Sequence, residues 1–339
     1  MSLNPNINFV EMSPSGIVPL ESVAIRLHPQ DNVAIAKTNL QTGTTLALAD
    51  GSQVAIQGFI PSGHKIALRQ TATGEAVYRY GQIIGFATQP IQPGEQVHSH
   101  NLSVQDYARD YAFSTNVIPV EYVPEHERRT FMGYRRADGR VGTRNYVGVI
   151  STVNCSAHTI REIAHHFTKE RLADFPNIDG VIPLAHLSGC ANQIGGASYR
   201  MLQRTLAGFA RHPNIGAYII VGLGCETNQV SDLVASYDLA NGHMPLPMLT
   251  IQETGGIRKT VQAGIEAIEE LLPYVNSAER TPVPISELMV ALQCGGSDGW
   301  SGVTANPVLG MVSDEIVRQG GTVVLAETPE IYGAEHLLT

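Results

Sequence analysis

Tyr146-Val-Gly-Val-Ile-Ser151 is a short apolar run that ends just before Cys155. Its length and β-branched content read as a buried strand. Three more runs of this kind follow. Val181-Ile-Pro-Leu-Ala185 leads to His186 and Cys190, and Ala217-Tyr-Ile-Ile-Val221 leads to Gly224-Cys225-Glu226. Glu287-Leu-Met-Val-Ala-Leu292 leads to Cys294-Gly-Gly-Ser-Asp298. Helical patterns at about 156–170, 194–210, 257–272 and 304–319 alternate with the runs, and Thr322-Val-Val-Leu-Ala-Glu327 closes the series. Strand–helix alternation predicts a mainly parallel sheet covered on both faces. Ligands bind outside the carboxyl ends of such strands. If the four strands share one sheet, all four cysteines face one crevice.

Residues 20 to about 102 read differently. Val33-Ala-Ile-Ala36, Thr45-Leu-Ala-Leu48, Lys65-Ile-Ala-Leu68 and Ile83-Ile-Gly-Phe-Ala87 are short, and turn signals such as Asp50-Gly51 and Thr73-Gly74 punctuate them. This predicts a small all-β domain with hairpins. The expected organisation is therefore an α/β chain with a β-domain over 1–102, a connector over 103–145, and a sheet domain over 146–339. The chain stops at Ala334-Glu-His-Leu-Leu-Thr339 in an expected helix, so a further C-terminal domain is expected.

Composition limits the function. The 339 residues are 43% hydrophobic and 16% charged, enough for a sizeable core and unlike a disordered chain. A net charge of −9 argues against nucleic-acid binding. No apolar run approaches a membrane span, and the N-terminus lacks a signal-peptide pattern. A cytoplasmic protein with reduced thiols is expected, its four cysteines being metal ligands, catalytic groups or buried fillers.

Several residues are candidates for a site. In the loop Cys294-Gly-Gly-Ser-Asp-Gly-Trp-Ser-Gly302, Gly295, Gly296 and Ser297 can turn backbone amides toward an anion at a helix start. Glu226 is a base, a ligand or a helix cap. His186 and Cys190 are metal-ligand types on either side of a turn. Cys155 starts a helix, where a thiol pKa falls, or else packs. In Val97-His-Ser-His-Asn101, a strand would put His98 and His100 on one face, with His28 a third ligand and His64 a fourth candidate. The alternative is two surface histidines on an edge strand. Arg135, Arg136, Arg140 and Arg144 crowd the turn before Tyr146, and Arg144 is the preferred carboxylate binder.

Gly133-Tyr-Arg-Arg-Ala-Asp-Gly-Arg-Val-Gly-Thr-Arg-Asn145, His186-Leu-Ser-Gly-Cys190, Gly222-Leu-Gly-Cys-Glu226, Cys294-Gly-Gly-Ser-Asp-Gly-Trp-Ser-Gly-Val-Thr-Ala-Asn-Pro307 and Ala326-Glu-Thr-Pro-Glu-Ile-Tyr-Gly-Ala-Glu335 resemble the altronate/galactarate dehydratases. The first hundred residues resemble their SAF domain, a β-clip fold. His98-Ser-His-Asn101 is more similar to the altronate branch. The resemblance implies iron(II)-dependent loss of water from a hexonate or hexarate, giving a 2-keto-3-deoxy acid. It puts Arg144 and Gly295–Ser297 on the substrate carboxylate. His186, Glu226 or Asp298 would serve as acid or base, with Cys190, Cys225 and Cys294 in the shared loops. Iron(II) is expected on His28, His98 and His100, because open oxygen-binding positions suit His over thiolate. A homo-oligomer is expected, with no nucleic-acid or membrane partner. Galactarate dehydration, a related sulfo-lyase activity, and a non-catalytic sugar-acid or metal-binding role are the alternatives.

Overall fold

The computed structural model describes residues 15–107, 112–115, 117–240, 246–293, 295–296 and 298–338. The chain forms two compact units: one of 1–122 with 289–318 and 323–339, the other of 123–288 with 319–322. Together they make an α/β chain with an all-β N-terminal domain. No helix among the described residues is long and apolar enough to cross a membrane.

The first unit is built mostly from short antiparallel strands. Val33–Ala36 pairs with Ala24–Ile25 and Lys65–Ala67, which in turn pairs with Gln96–Val97. Gln82–Ala87 pairs with Ala76–Arg79 and Leu102–Ser103. Leu40, Leu46, Ile60 and Ile66 are fully buried between the first sheets, and Val33, Val77, Ile91 and Val97 form a second cluster. The glycines at the expected turns, among them Gly51 and Gly74, take positive φ, which glycine adopts without steric cost.

The second unit carries the parallel sheet. Its elements in chain order are β1 (Tyr146–Ser151), α1 (Ala157–His166), β2 (Gly180–Leu184), α2 (Ala197–Ala210), β3 (Ile215–Gly222), α3 (Val230–Ser236), β4 (Met248–Thr250) and α4 (Ile257–Asn276). The strands lie in the order β2-β1-β3-β4, all parallel. Alternation along β3 sends Ala217, Ile219 and Val221 to one face, where they pack with Ile160 and Ile163 of α1 and Ile268 and Leu272 of α4. Ile220 goes to the other face, with Leu206 of α2 and Leu233 of α3. Both faces are thus covered, which explains why the strands read as continuous apolar runs. In this strand order the crossovers diverge between β1 and β3, and the carboxyl ends of those two strands form the expected crevice.

The fourth cysteine-bearing strand does not join this sheet. Met289–Leu292 pairs with Thr322–Leu325 in a separate two-stranded sheet, in register with none of β1 to β4. An apolar run of four residues specifies a strand but not its neighbour, because pairing depends on contacts remote in sequence. At the C-terminus a 3-10 turn, Glu335–Leu337, stands where a longer helix was expected.

Candidate functional site

Three loops meet at the carboxyl edge of the parallel sheet. The loop after β1 runs from Thr152 through a 3-10 turn, Asn154–Ser156, into α1. Its Asn154 N–H donates to the Ser188 carbonyl in the loop after β2 (3.0 Å). The Thr227 N–H in the loop after β3 donates to the Cys190 carbonyl (2.9 Å). Thr152 closes the triangle: its hydroxyl donates to Glu226 (2.7 Å), and its carbonyl accepts from Asn228 Nδ2 (3.0 Å). Cys155, Cys190 and Cys225 each stand in one of these loops, and all three are free and exposed.

Glu226 is buried and acts as the clamp of this edge. Besides Thr152 it accepts the N–H groups of Leu223 (3.0 Å) and Gly224 (2.6 Å). Burial alone would push its carboxyl up, but the Gly224, Thr152 and Leu223 hydrogen bonds outweigh it and hold the pKa below the usual range. A carboxylate held so is a poor proton acceptor, so of the three roles open to Glu226 the geometry favours loop capping. The clamp also explains two glycines. Gly224 sits at φ 123°, and a side chain at Gly222 would run into the Glu226 carboxylate.

His186 is half-buried and uses both ring nitrogens. Nδ1 accepts the Ser188 N–H (3.0 Å), so Nε2 carries the proton and donates to the Ser151 carbonyl (3.1 Å). Burial lowers its pKa, which keeps the ring neutral at pH 7. In this arrangement His186 orients the loop after β2 and has no free nitrogen for a metal or a proton.

Two residues of this edge carry unmet polar atoms. Thr227 Oγ1 and Asn228 Oδ1 are buried and have no hydrogen-bond partner. Buried polar groups in this condition call for an explanation, and a bound ligand is one. The sequence reading named Cys225 and Glu226 in this loop but not these two, since a Thr-Asn pair reads as ordinary loop polarity. A shallow cleft beside α1 and α4, lined by His158, Glu162, Ile257, Arg258, Lys259 and Gln262, adds two exposed cations to the same side of the sheet. Both helices start from loops at the carboxyl edge, so their first turns flank it. Sequence alone gave Arg258 and Lys259 no special standing, because cations in a first helical turn look like a solvated face.

Arg144 lies elsewhere. It precedes β1, so it sits at the amino edge, roughly 20 Å from the cysteines along a six-residue strand. There it faces Asp179 at 3.8 Å, beside Arg280 on the same carboxylate at 3.6 Å. The crowded arginines are tied into the local network of this edge. Arg136 bonds the carbonyls of Pro213 and Arg144 and the side chain of Asn145, and Arg140 bonds Asp138.

The first unit holds the other candidates. His98 and His100 do not share a strand face. The strand ends at Val97, and 98–101 is a turn closed by the Asn101 N–H on the His98 carbonyl (3.0 Å) and by Asn101 Oδ1 on the His98 N–H (2.9 Å). Instead His98 stacks on His64, ring centroids 5.3 Å apart, and His64 is bonded to Gln96. His28 belongs to a local turn with Asp31, its Nδ1 accepting from the Gln30 N–H (3.2 Å). Among the described residues no group of three or more His, Cys, Asp or Glu side chains is placed to hold a single metal ion. The residues present therefore do not fit iron(II) on His28, His98 and His100.

In the glycine-rich loop, Cys294 and Ser297 lie outside the described residues. Gly295 and Gly296 are exposed. Asp298 accepts the N–H groups of Trp300 (2.7 Å) and Ser301 (2.8 Å), capping the turn that follows. The loop is anchored on the β-domain. Trp300 packs over Gly63 with its Nε1–H toward Ser62 Oγ (3.3 Å), Arg79 donates to the Gly299 carbonyl (3.2 Å), and the Tyr80 hydroxyl to the Gly302 carbonyl. Sequence reasoning missed this docking, which joins residues more than two hundred positions apart.

The second unit is thus a doubly wound α/β body whose polar loops gather thiols at the point where crossovers diverge, a class built to hold a small ligand at its strand ends. Family models match the chain in order: the altronate/galactarate dehydratase SAF domain over residues 22–105, the D-galactarate dehydratase/altronate hydrolase second domain over 133–276, and the D-galactarate/altronate dehydratase C-terminal model over 285–339. The chain belongs to the altronate/galactarate dehydratase family. It is 35% identical over 319 residues to an altronate dehydratase of Bacillus subtilis, 38% over 321 residues to one of Escherichia coli, and 35% over 323 residues to the galactarate dehydratase (L-threo-forming) of E. coli. Each alignment covers 93% of this chain. The chain spans 61–62% of the length of these relatives.

Proposed function

We propose that this chain is the substrate-handling part of a sugar-acid dehydratase, a hydro-lyase that takes D-altronate to a 2-keto-3-deoxy acid. The observation that supports this most strongly is the identity of 35–38% to two altronate dehydratases across 93% of the chain. The reaction removes the weakly acidic proton at C2, next to the carboxylate, and expels the C3 hydroxyl. It needs a cation for the carboxylate, a base, and a group that stabilises the enediolate-like charge. In this reading Arg258 and Lys259 supply the cation at the carboxyl edge, and Asn228 Oδ1 and Thr227 Oγ1 meet substrate hydroxyls. Glu226 and His186 keep the three loops in place. Iron dependence, a homo-oligomer and a cytoplasmic setting belong to the same proposal. No step is assigned to a single ion, because the described residues do not offer it a seat.

Galactarate dehydration is the second reading, favoured by 35% identity to the E. coli enzyme over the same span. The test is to incubate the full-length protein anaerobically with iron(II) and a thiol reductant, offer a panel of hexonates and hexarates, and quantify 2-keto-3-deoxy product. Turnover of D-altronate above all others is expected. Preference for galactarate replaces the first reading with the second, and no product from any acid overturns both.

A further inference from the structure

We propose that Arg79 and Tyr80 are positioning residues for the glycine-rich loop: they seat its second half, residues 299–302, on the β-domain, and so leave its first half, Gly295 and Gly296, set to receive a ligand.

The turn that carries them is strained. Ala76–Arg79 and Gln82–Ala87 form a hairpin in which Arg79 faces Gln82, so Tyr80 and Gly81 are its two-residue loop. Both take positive φ, 56° and 69°, as a type I′ turn requires, and Asn-Gly is the favoured pair there. A tyrosine in that conformation carries a steric cost that glycine and asparagine largely avoid. Packing does not offset it, since Tyr80 is 41% exposed. The surroundings enforce it instead. Asp31, 1% exposed, accepts the N–H groups of His28 (3.0 Å), Tyr80 (3.1 Å) and Gly81 (2.8 Å). Strain held in place by a buried carboxylate points to a function at the strained residue. The Tyr80 side chain shows which: its hydroxyl donates to the Gly302 carbonyl. Arg79, with Cζ 5.7 Å from the Tyr80 ring, donates to the Gly299 carbonyl (3.2 Å).

The loop is shaped to the same seat. A side chain at Gly299 would run into the Gly63 carbonyl, and an ideal Cβ at Gly302 would lie 2.6 Å from Arg79 Nη2. Trp300, between them, lies over Gly63 and points its Nε1–H at Ser62 Oγ (3.3 Å). Gly299 and Gly302 therefore serve close approach to the β-domain and not the turning of amides toward an anion. Gly295 and Gly296 differ. Both are exposed, and among the described residues no atom beyond their chain neighbours lies within 4 Å of where a side chain would stand. The loop thus divides into an open half and a docked half, and Asp298 caps the start of the docked one through the N–H groups of Trp300 and Ser301. That the open half meets a sugar acid rests on the dehydratase reading; that Arg79 and Tyr80 fix the docked half does not.

Trp300 is the one tryptophan of the sequence, so its emission reads the seat directly. In the full chain, Tyr80→Phe keeps the ring and the strained turn but loses the hydroxyl. Tyr80→Asn loses the hydroxyl and relaxes the turn. Both should shift Trp300 emission to the red and open it to acrylamide quenching. Both should also raise KM for a hexonate about fivefold, the loss of one neutral hydrogen bond, with kcat changed less. They should differ in stability: the urea midpoint of Tyr80→Asn is expected to match or exceed the parent's, and that of Tyr80→Phe to stay at or below it. A residue kept only for stability would not release the loop while the fold gains stability. Gly302→Ala reaches the same seat from the loop side and should free Trp300 with little change in midpoint. Trp300 emission and quenching at the parent's values in folded Tyr80→Phe, or a midpoint lower for Tyr80→Asn than for Tyr80→Phe, overturns the proposal. An unchanged KM with Trp300 freed does so as well. Should a Tyr80 variant fail to fold, Gly302→Ala decides, and an unmoved Trp300 there overturns the proposal. No turnover of any sugar acid by the parent would remove the dehydratase reading, while Trp300 and the urea midpoints still decide the seat.

Discussion

The two edges of the parallel sheet are both rich in polar side chains, yet they are built to opposite ends. At the amino edge every polar group of Asn145 is spent. Its Nδ2 donates to the carbonyls of Asn177 (2.9 Å) and Val275 (2.8 Å), its Oδ1 accepts from Arg136 (3.0 Å), and its N–H reaches Asp179 (2.7 Å). Arg280 lies over the Tyr134 ring at 4.5 Å, and the Tyr134 hydroxyl meets the Asn177 carbonyl (3.1 Å). At the carboxyl edge three thiols are exposed and two buried polar atoms go unmet. A saturated network rigidifies, whereas an unsaturated one is poised for something else to complete it. The arginine-rich segment 133–145 is the more eye-catching sequence, but it belongs to the saturated edge.

Substitutions separate the two edges, and the largest effect is expected at Asn145. Asn145→Ala strips a fully buried amide and leaves several backbone groups unpaired, which should cost about 3 kcal/mol. Urea unfolding should show it, with ligand binding by the surviving folded protein unchanged. A loss well under 1 kcal/mol would mean that the amino edge is not the lock described. Glu226→Gln replaces an acceptor with a donor facing the Leu223 and Gly224 amides and should cost about 2 kcal/mol at pH 7. The folded carboxyl titrates below its unfolded value, so its stabilisation is present above the unfolded pKa and is lost as pH falls through the folded one. The gap between parent and variant should therefore close on acidification, and a gap that persists in acid would mean the carboxylate charge is not what the loops use.

Smaller effects sharpen the contrast in function. Arg258→Ala combined with Lys259→Ala should raise KM for a hexonate roughly tenfold, the loss of about one charge-assisted hydrogen bond, with stability hardly altered. An unchanged KM would move the carboxylate site away from α4. Arg144→Ala is expected to do least. Its exposed ion pair at 3.8 Å contributes about 0–1 kcal/mol, and KM should stay as it was. A clear rise in KM for Arg144→Ala would reverse the assignment of the two edges.

Three strands of the sheet were legible because each is a continuous apolar run between turn signals; Tyr146–Ser151 is found where it was expected, Gly180–Leu184 and Ile215–Gly222 agree to within a few residues, and the three-residue Met248–Thr250 was not read. Short α3 was not legible, since seven residues carry too little periodicity. The histidine seat failed for a related reason. The period-two rule applies only where the strand continues, and Asn101 folds 98–101 into a turn. Arg144 stands at the opposite edge from the cysteines; residue type reports what a group can bind and says nothing about which end of a strand it stands at.

Sequence by itself determined the element types, the all-β N-terminal domain ahead of a parallel sheet, the family, and the position of cysteines just past strand ends. These follow from local periodicity and from chain order. The tertiary structure alone decided that three of those strands share one sheet while Met289–Leu292 pairs elsewhere, that Glu226 and His186 are spent on neighbouring loops, and that Thr227 and Asn228 have polar atoms to spare. The reason is physical. Strand pairing and hydrogen-bond saturation are set by groups far apart in the chain, and no local pattern records which of them meet.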